Sequence, residues 1–404
     1  MSRRNIHTQL VRGQPLAGDA YKATSTPIYQ TATFEQEHAD RFGAFDYSRS
    51  GNPTRGAVEE QLAELEHGAR GLAFASGLAA LNTAVGLLKT GDTLLAHDDL
   101  YGGSHRLFSR IAEHRGIRVI YADLADAETV RRRVVHGVNM VHIETPTNPL
   151  LSIVNVREVA AAAKRVGAIT VVDSSAMSPY LQRPLELGAD IVLHSATKLL
   201  NGHADVSAGA LVVADTVIAD RLAFIQNAEG SALGPFDSFL LARGLKTLAV
   251  RLDRQQASAA RVANFLAQRS EVLRVRYPSL ETHPGREIHR SQASGGGVVI
   301  SFETGDRELS KRVVEALSLF SITVSFGSIA STVSLPGYMS HASIPAAVRR
   351  QRAFPDDIVR LSVGLECVDE LIADLSRAFS SARHFDSQVG NPQLPQRTAA
   401  DALV

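Results

Sequence analysis

One cysteine in 404 residues, Cys367, excludes a disulfide within the chain and fits a reducing compartment, so a cytoplasmic location is expected. An excess of either charge is also missing. Lys+Arg and Asp+Glu each number 42, which leaves no electrostatic footprint for nucleic acid or an anionic membrane surface. No uninterrupted apolar run approaches the length of about 18 residues that a membrane span needs. The basic opening MSRRNIHTQLVRG is not followed by an apolar run, so no signal peptide is expected. The 14 histidines show no metal-ligand spacing such as HExxH, and no metal is expected. There is no internal repeat. What is present is the profile of an ordinary globular protein, 45% hydrophobic and 21% charged, at a length that suits two domains.

Residues 1–55 are rich in Thr, Gly, Pro and Tyr, hold YQTATF and YSRSGNPTR, and carry no sustained apolar period. They are expected to be irregular and to wrap the domain or reach a neighbouring subunit. A strand–helix alternation then begins. Val58, Leu62 and Leu65 recur at helical spacing, with Gly68 as the stop. GLAFAS, TLLAH, IRVIYAD, VNMVHIET, AITVVDSS, DIVLHS and GALVV read as strands. GLAALNTAVGLL, SHRLFSRIAEHRG, ETVRRRVVHG and VREVAAAAKRVG read as helices between them. Continuous apolar strands separated by helices predict an α/β fold with a largely parallel sheet covered on both faces. A long helical stretch from PFDSFLLARG to ANFLAQ, interrupted around Gly244, bridges to EVLRVRY, GGVVISFE, KRVVEALSLF, ITVSFGS, IVRLSVG and DELIADLSRAFSSARHF. These read as a smaller α+β unit. The expected division is an arm at 1–55, a large domain at 56–255 and a C-terminal domain at 256–404, loose after about Asp386.

The segment from Ile169 to Gly209 carries the most chemistry. Asp173 closes one apolar strand, and Lys198 follows just past the next. Open α/β sheets bind ligands at the carboxyl ends of their strands, so both residues belong on that rim. A lysine amine condenses with an aldehyde, and a carboxylate can keep a pyridine nitrogen protonated. A protonated ring of that kind is an electron sink for a carbanion. Ser195 and Thr197 flank Lys198 with hydroxyls and amides suited to a phosphate. Taken singly, Lys198 reads as a surface lysine and Asp173 as a helix cap; the two together with His-Ser-Ala-Thr-Lys point to a cofactor site. Ser76-Gly77-Leu78 opens a helix after a strand and offers free N–H groups to a phosphate, although a plain helix cap has the same pattern. Tyr101, at a similar strand-to-helix turn, could stack on a flat ring or simply fill the turn.

YSRSGNPTR, SGLAA, YGGSHR, ETPTNPL, the strand-end Asp173, SATK, GPFDSFLLARGLKTL and RLSVGLE together resemble the cysteine and methionine metabolism group of pyridoxal-phosphate enzymes over roughly residues 20–385. The resemblance implies the aspartate-aminotransferase-like fold (fold type I) and pyridoxal 5′-phosphate as cofactor. By the same resemblance, Lys198 is the cofactor-tethering lysine, Asp173 the partner of the ring nitrogen and Tyr101 the stacking residue. Gly77, Leu78, Ser195 and Thr197 match the phosphate cup. Tyr47 and Arg49 match a pair that reaches the phosphate of a neighbouring subunit, which implies a homo-oligomer and plausibly a dimer of dimers. Arg360 matches the clamp for the substrate carboxylate, and Ser331 and Asn148 match positions on the substrate side.

Within the group, MSPYLQRPLELGADIVLHSATK, QNAEGSALGPFDSF and RLSVGLECVDELIADL look most like plant-type cystathionine β-lyase. Gly103 stands where methionine γ-lyases carry a cysteine. Ala330 stands where γ-enzymes carry an acidic residue before the serine matching Ser331. Both departures favour β-elimination of L-cystathionine to homocysteine, pyruvate and ammonia, with Lys198 moving the α-proton and Tyr101 assisting at the departing sulfur. Two further departures are Ser174 in place of the usual asparagine, and Ala330 where plant-type lyases tend to carry lysine. They leave room for a γ-lyase, a γ-synthase or a related eliminase, and the alternative from another class is a non-catalytic protein that kept the fold.

Overall fold

The computed structural model describes residues 4–12, 19, 21–339 and 354–389, with side chains in the last stretch as far as Arg383. In chain order the first elements are α1 (Ile6–Arg12), α2 (Pro53–Glu66), β1 (Arg70–Phe74), α3 (Gly77–Val85), β2 (Thr93–His97), α4 (Gly102–Arg106) and β3 (Arg118–Ala122). Next come α5 (Ala127–Arg133), β4 (Met140–Glu144), α6 (Val156–Val166), β5 (Ile169–Asp173), α7 (Ser178–Leu181), β6 (Ile191–His194) and β7 (Gly209–Val213). Helices α8 (Thr216–Glu229), α9 (Pro235–Leu245) and α10 (Leu248–Ala267) lead to β8 (Arg274–Arg276), α11 (Arg286–Gln292), β9 (Val299–Glu303), α12 (Arg307–Ala316), β10 (Ser321–Ile322), β11 (Thr332–Ser334), β12 (Val359–Ser362) and α13 (Val368–Val389).

The first sheet has the order β1-β7-β6-β5-β4-β2-β3. Its inner strands run parallel, and β7 is antiparallel to both β1 and β6. Alternate residues of one strand enter different cores: Leu94 and Ala96 pack with Leu81 and Phe108, whereas Leu95 packs with Val159 and Ala163 of α6. A strand covered on both faces needs apolar residues at every position, which is why β2, β4 and β5 read as continuous runs. Helix α6 has only 11 residues, marginal in isolation. Burial of Val156, Val159, Ala160, Ala162 and Ala163 holds it against the sheet. The second sheet, β10-β11-β12-β9-β8, packs Ile300, Phe302, Val359 and Leu361 against Val262 and Leu266 of α10 and Leu371, Leu375 and Phe379 of α13. The other half of α10, through Leu248 and Leu252, belongs to the core of the first sheet. One helix therefore joins the two cores.

The structure departs from the sequence reading in five places. The arm is not wholly irregular: α1 docks Leu10 into the core, and Gln61 Nε2 donates to the Gln9 and Leu10 carbonyls at 3.2 and 3.0 Å. Seven residues are too few to give a periodic signal. The stop of α2 is His67, at φ 60°, one residue before Gly68. Helix α8 was not anticipated because its apolar residues lie on several faces, with Phe224 74% exposed. ITVSFGS is a strand only at Ser321–Ile322; the chain then turns, with Ser325 at φ 80°, and a strand resumes at Thr332. The tail expected to be loose continues α13 to Val389, and the rest of it lies outside the described residues.

Candidate active site

Parallel strands β4, β5 and β6 end side by side. They deliver Glu144, Asp173 and the loop carrying Lys198 to one rim. The cap of α3 lies at the same rim. The Ser76 side chain accepts the Ala79 N–H at 3.0 Å, while the Gly77 and Leu78 amides have no acceptor among the described residues. A Cβ on Gly77 would sit 2.9 Å from that of Ser195, so only glycine lets the helix end approach the Ser195 hydroxyl. Ser195 Oγ itself bonds no group among the described residues, and its backbone N–H donates to Ser175 Oγ at 2.6 Å. Thr197 Oγ1 accepts the Ala208 N–H at 2.9 Å, which pins the turn before Lys198. Two free amides and a free hydroxyl at the positive end of a helix suit a phosphate.

Lys198 is half-buried. Its Nζ hydrogen-bonds Ser325 Oγ and lies 5.2 Å from the centre of the Phe326 ring. Burial, and then the charge of Arg360, lower its amine to about 8, with Asp173 pulling the other way. The neutral amine is the nucleophile and base. Burial raises the Asp173 carboxyl, opposed by hydrogen bonds from Ser175 and by the charges of His194 and Lys198. Ser175 N–H donates to Asp173 Oδ1 at 2.9 Å. Tyr101 is exposed at the rim, its N–H donating to Glu144 Oε2 at 3.0 Å. A Cβ on Gly103 would come within 2.3 Å of the Tyr101 ring, so glycine there allows the ring to lie over the start of α4.

Arg360, on β12, is 2% exposed. It donates to Asn148 Oδ1 at 2.9 Å and to the Ser325 carbonyl at 2.5 Å, and its ring neighbour is again Phe326, at 5.5 Å. Its Nε is buried without a partner. An arginine with no carboxylate partner among the described residues, set in a buried wall, is a natural receiver for one from outside.

The serine beside Lys198 and Arg360 is therefore Ser325, not Ser331. Ser331 is fully buried, donates to Glu366 Oε2 at 2.8 Å and accepts the Gly364 N–H at 2.9 Å. Ala330 beside it is exposed, and the residue preceding the site serine is Val324, an exposed apolar side chain. The sequence pattern contains two serines in similar runs, and only the turn at φ 80° selects the first. Ser174 is also withdrawn: it is fully buried and bonds Gln182 Oε1 at 3.3 Å. Tyr47 and Arg49 lie apart from Lys198 on the surface. The Arg49 guanidinium is 5.2 Å over the Tyr47 ring and donates to the Asn227 carbonyl at 2.6 Å and to Asn227 Oδ1 at 3.0 Å. Ser325, Phe326 and Glu144 were not singled out by the sequence reading. The Ser-Phe-Gly turn and the acidic end of VNMVHIET are the signals they left.

These residues fit pyridoxal phosphate: Gly77 and Leu78 amides with no acceptor among the described residues beside the Ser195 hydroxyl, an amine of low basicity, and a carboxylate across the rim. A family model described as Cys/Met metabolism PLP-dependent enzyme matches residues 7–380. The chain is 50% identical to a chloroplastic cystathionine beta-lyase of Mimosa pudica, covering 90% of this chain and 79% of that one. It is 44% identical to a cystathionine beta-lyase of Bacillus subtilis, covering 94% and 97%. Its fold superimposes with a TM-score of 0.92 on a cystathionine gamma synthase of Xanthomonas oryzae pv. oryzae solved with cystathionine, at 40% identity over 94% of this chain and 99% of that one.

Proposed function

Starting from the fact that the chain belongs to the Cys/Met metabolism PLP-dependent enzymes, we propose that it cleaves the Cβ–S bond of L-cystathionine, releasing homocysteine, pyruvate and ammonia. It is a pyridoxal-phosphate-dependent carbon–sulfur lyase of fold type I. The observation that carries the substrate reading is the convergence of Lys198 and Arg360 on Ser325. An α-amino acid whose carboxylate meets Arg360 presents its Cα to the Lys198 amine.

The Gly77 and Leu78 amides with Ser195 would hold the phosphate, and Thr197 fixes the turn. Asp173 would partner the ring nitrogen and Tyr101 would stack on the ring. When bound, the cofactor supplies a protonated ring that takes up the electron pair left at Cα. Lys198 removes the α-proton, and its low basicity leaves the free amine available near neutral pH. Ser325 orients that amine. Arg360, backed by Asn148, holds the carboxylate and keeps the substrate in register with the base. Lys198, with the Tyr101 hydroxyl, returns a proton to the departing sulfur. β-Elimination asks for one proton taken from carbon and one given to sulfur, which these groups supply, and the three-carbon enamine left behind then takes up one water to give pyruvate and ammonia.

A γ-cleaving reading is favoured by the fold match to the gamma synthase. Product analysis separates the two. With purified holoenzyme and L-cystathionine, pyruvate and homocysteine are the expected products. Formation of 2-oxobutyrate and cysteine instead would sink the β-lyase reading.

Support for an oligomer comes from Tyr47 and Arg49, exposed beside α8, which also exposes Val217 and Phe224. In this reading the pair completes a neighbour's phosphate site within a dimer, and two dimers form a tetramer. Refolding Lys198→Ala and Arg49→Ala chains together should restore roughly a quarter of wild-type activity, because half the dimers are mixed and each mixed dimer has one intact site. Activity no higher than that of the separate variants refutes the cross-subunit role. The scarcity of cysteine supports a cytoplasmic location. Among the described residues no helix is long and apolar enough to cross a membrane.

A further inference from the structure

Glu144 is a buried carboxyl group that the reaction above leaves unused. It ends β4 in register with Asp173 on β5, and the two residues are 6% and 9% exposed. Its Oε2 accepts the Tyr101 N–H at 3.0 Å, and the Asn148 amide is also bonded to the carboxyl. One side chain therefore fastens both the loop of the ring-facing tyrosine and the loop whose Asn148 holds Arg360. The charges that face Glu144 are negative: Asp173 from β5 and Asp99 from the loop after β2. The nearby cations serve those neighbours, with Lys198 and His194 toward Asp173 and His97 and Arg276 toward Asp99. Asp98 adds a further negative charge near Asp99. No lysine, arginine or histidine among the described residues pairs with Glu144. Adjacent buried carboxyl groups do not both ionise without a large cost.

We propose that Glu144 is a positioning residue that works as an uncharged acid, holding Tyr101 and Asn148 by their backbone amides and leaving Asp173 as the single carboxylate charge offered to the cofactor ring. Asp173 has the hydrogen bonds from Ser175 and the two cations, so it ionises first and the proton stays on Glu144. Burial and the Asp173 charge push the Glu144 carboxyl in the same direction, well above the usual carboxylate range. The inference rests on Asp173 facing the ring, but not on which C–S bond the enzyme breaks.

The test reads the carboxyl group itself. Infrared spectra of the holoenzyme labelled with 13C-glutamate should show a label-sensitive protonated-carboxyl band at neutral pH that is lost in Glu144→Gln. Glu59 is also buried and raised, and its band persists in that variant, so the difference spectrum assigns the proton. Glu144→Gln should keep kcat/KM within about threefold and leave the pH titration of the visible cofactor band unmoved, whereas Glu144→Ala, which frees both loops, should lose about 10- to 100-fold. No label-sensitive band lost in Glu144→Gln, or a shifted titration of the visible band, overturns the proposal. Should Glu144→Gln not fold, Glu144→Asp under the same label removes the glutamate band equally well, and an unchanged spectrum there is decisive against it. The infrared result stands apart from the product assay, so the two readings fail separately.

Discussion

Lys198→Ala is expected to abolish the visible absorption band of the bound cofactor and to lower kcat by at least about 10³-fold. No other amine stands in for it. Lys198 is the lysine at the rim, tied to Ser325 by its Nζ and backed by the Phe326 ring. Its loop is fixed at both ends, by the Lys198 N–H to the Ser195 carbonyl at 3.0 Å and by the Gly202 N–H to the Lys198 carbonyl at 2.8 Å. The alanine chain should therefore fold and still retain phosphate affinity at Gly77 and Ser195, which separates loss of chemistry from loss of structure. Spectra and turnover of wild type and variant, each supplied with cofactor, check this. A visible band that survives the substitution removes Lys198 from its role.

The second large effect belongs to Arg360. Arg360→Ala should reduce kcat/KM by about 10²- to 10³-fold, because the substrate carboxylate then meets a buried wall with no donor. Arg360→Lys keeps the charge but not the planar fork, so most of its loss should appear in KM. The two variants also differ in pH dependence. Burial is the larger cause of the lowered Lys198 amine, and the Arg360 charge is the second. The active base is the neutral amine, so the rate rises with pH through its pKa of about 8. Removing the Arg360 charge raises that pKa toward the ordinary lysine value of 10.5, and the rising limb of the profile moves to higher pH in Arg360→Ala. In Arg360→Lys a positive charge remains and the limb should move less. A kcat profile, which reads the lysine freed once substrate is bound, whose limb is the same in all three proteins would show that the guanidinium does not act on the lysine.

Much of the fold is legible in the sequence. The parallel strands reveal themselves by unbroken apolar runs because both of their faces are covered, as Leu94 and Leu95 show by entering different cores. The helices that cover them announce themselves by stripes, as in α6. What stayed hidden were elements without a stripe: α1, too short, and α8, whose Phe224 faces outward. In the site, Lys198 and Asp173 could be found because each follows directly from the end of an apolar strand, and strand ends are where such sheets place their ligands. Ser325 could not, because a serine in an apolar run looks the same whether it ends a strand or bends out of it.

The scaffold and its anchor are written locally in the chain: the apolar strands, the lysine, the opposing carboxylate and the glycine-led helix cap. These depend on local spacing, and local spacing is written in the chain. Which serine meets Lys198, 127 residues away, and which carboxyl lies beside Asp173 follow from packing over long sequence separations. Those choices depend on the register between strands and on one turn at positive φ, and they are settled by packing across the sheet. Ser331 and Ser325 are alike in sequence. One is buried and donates to Glu366, and the other bridges an amine and a guanidinium at the rim.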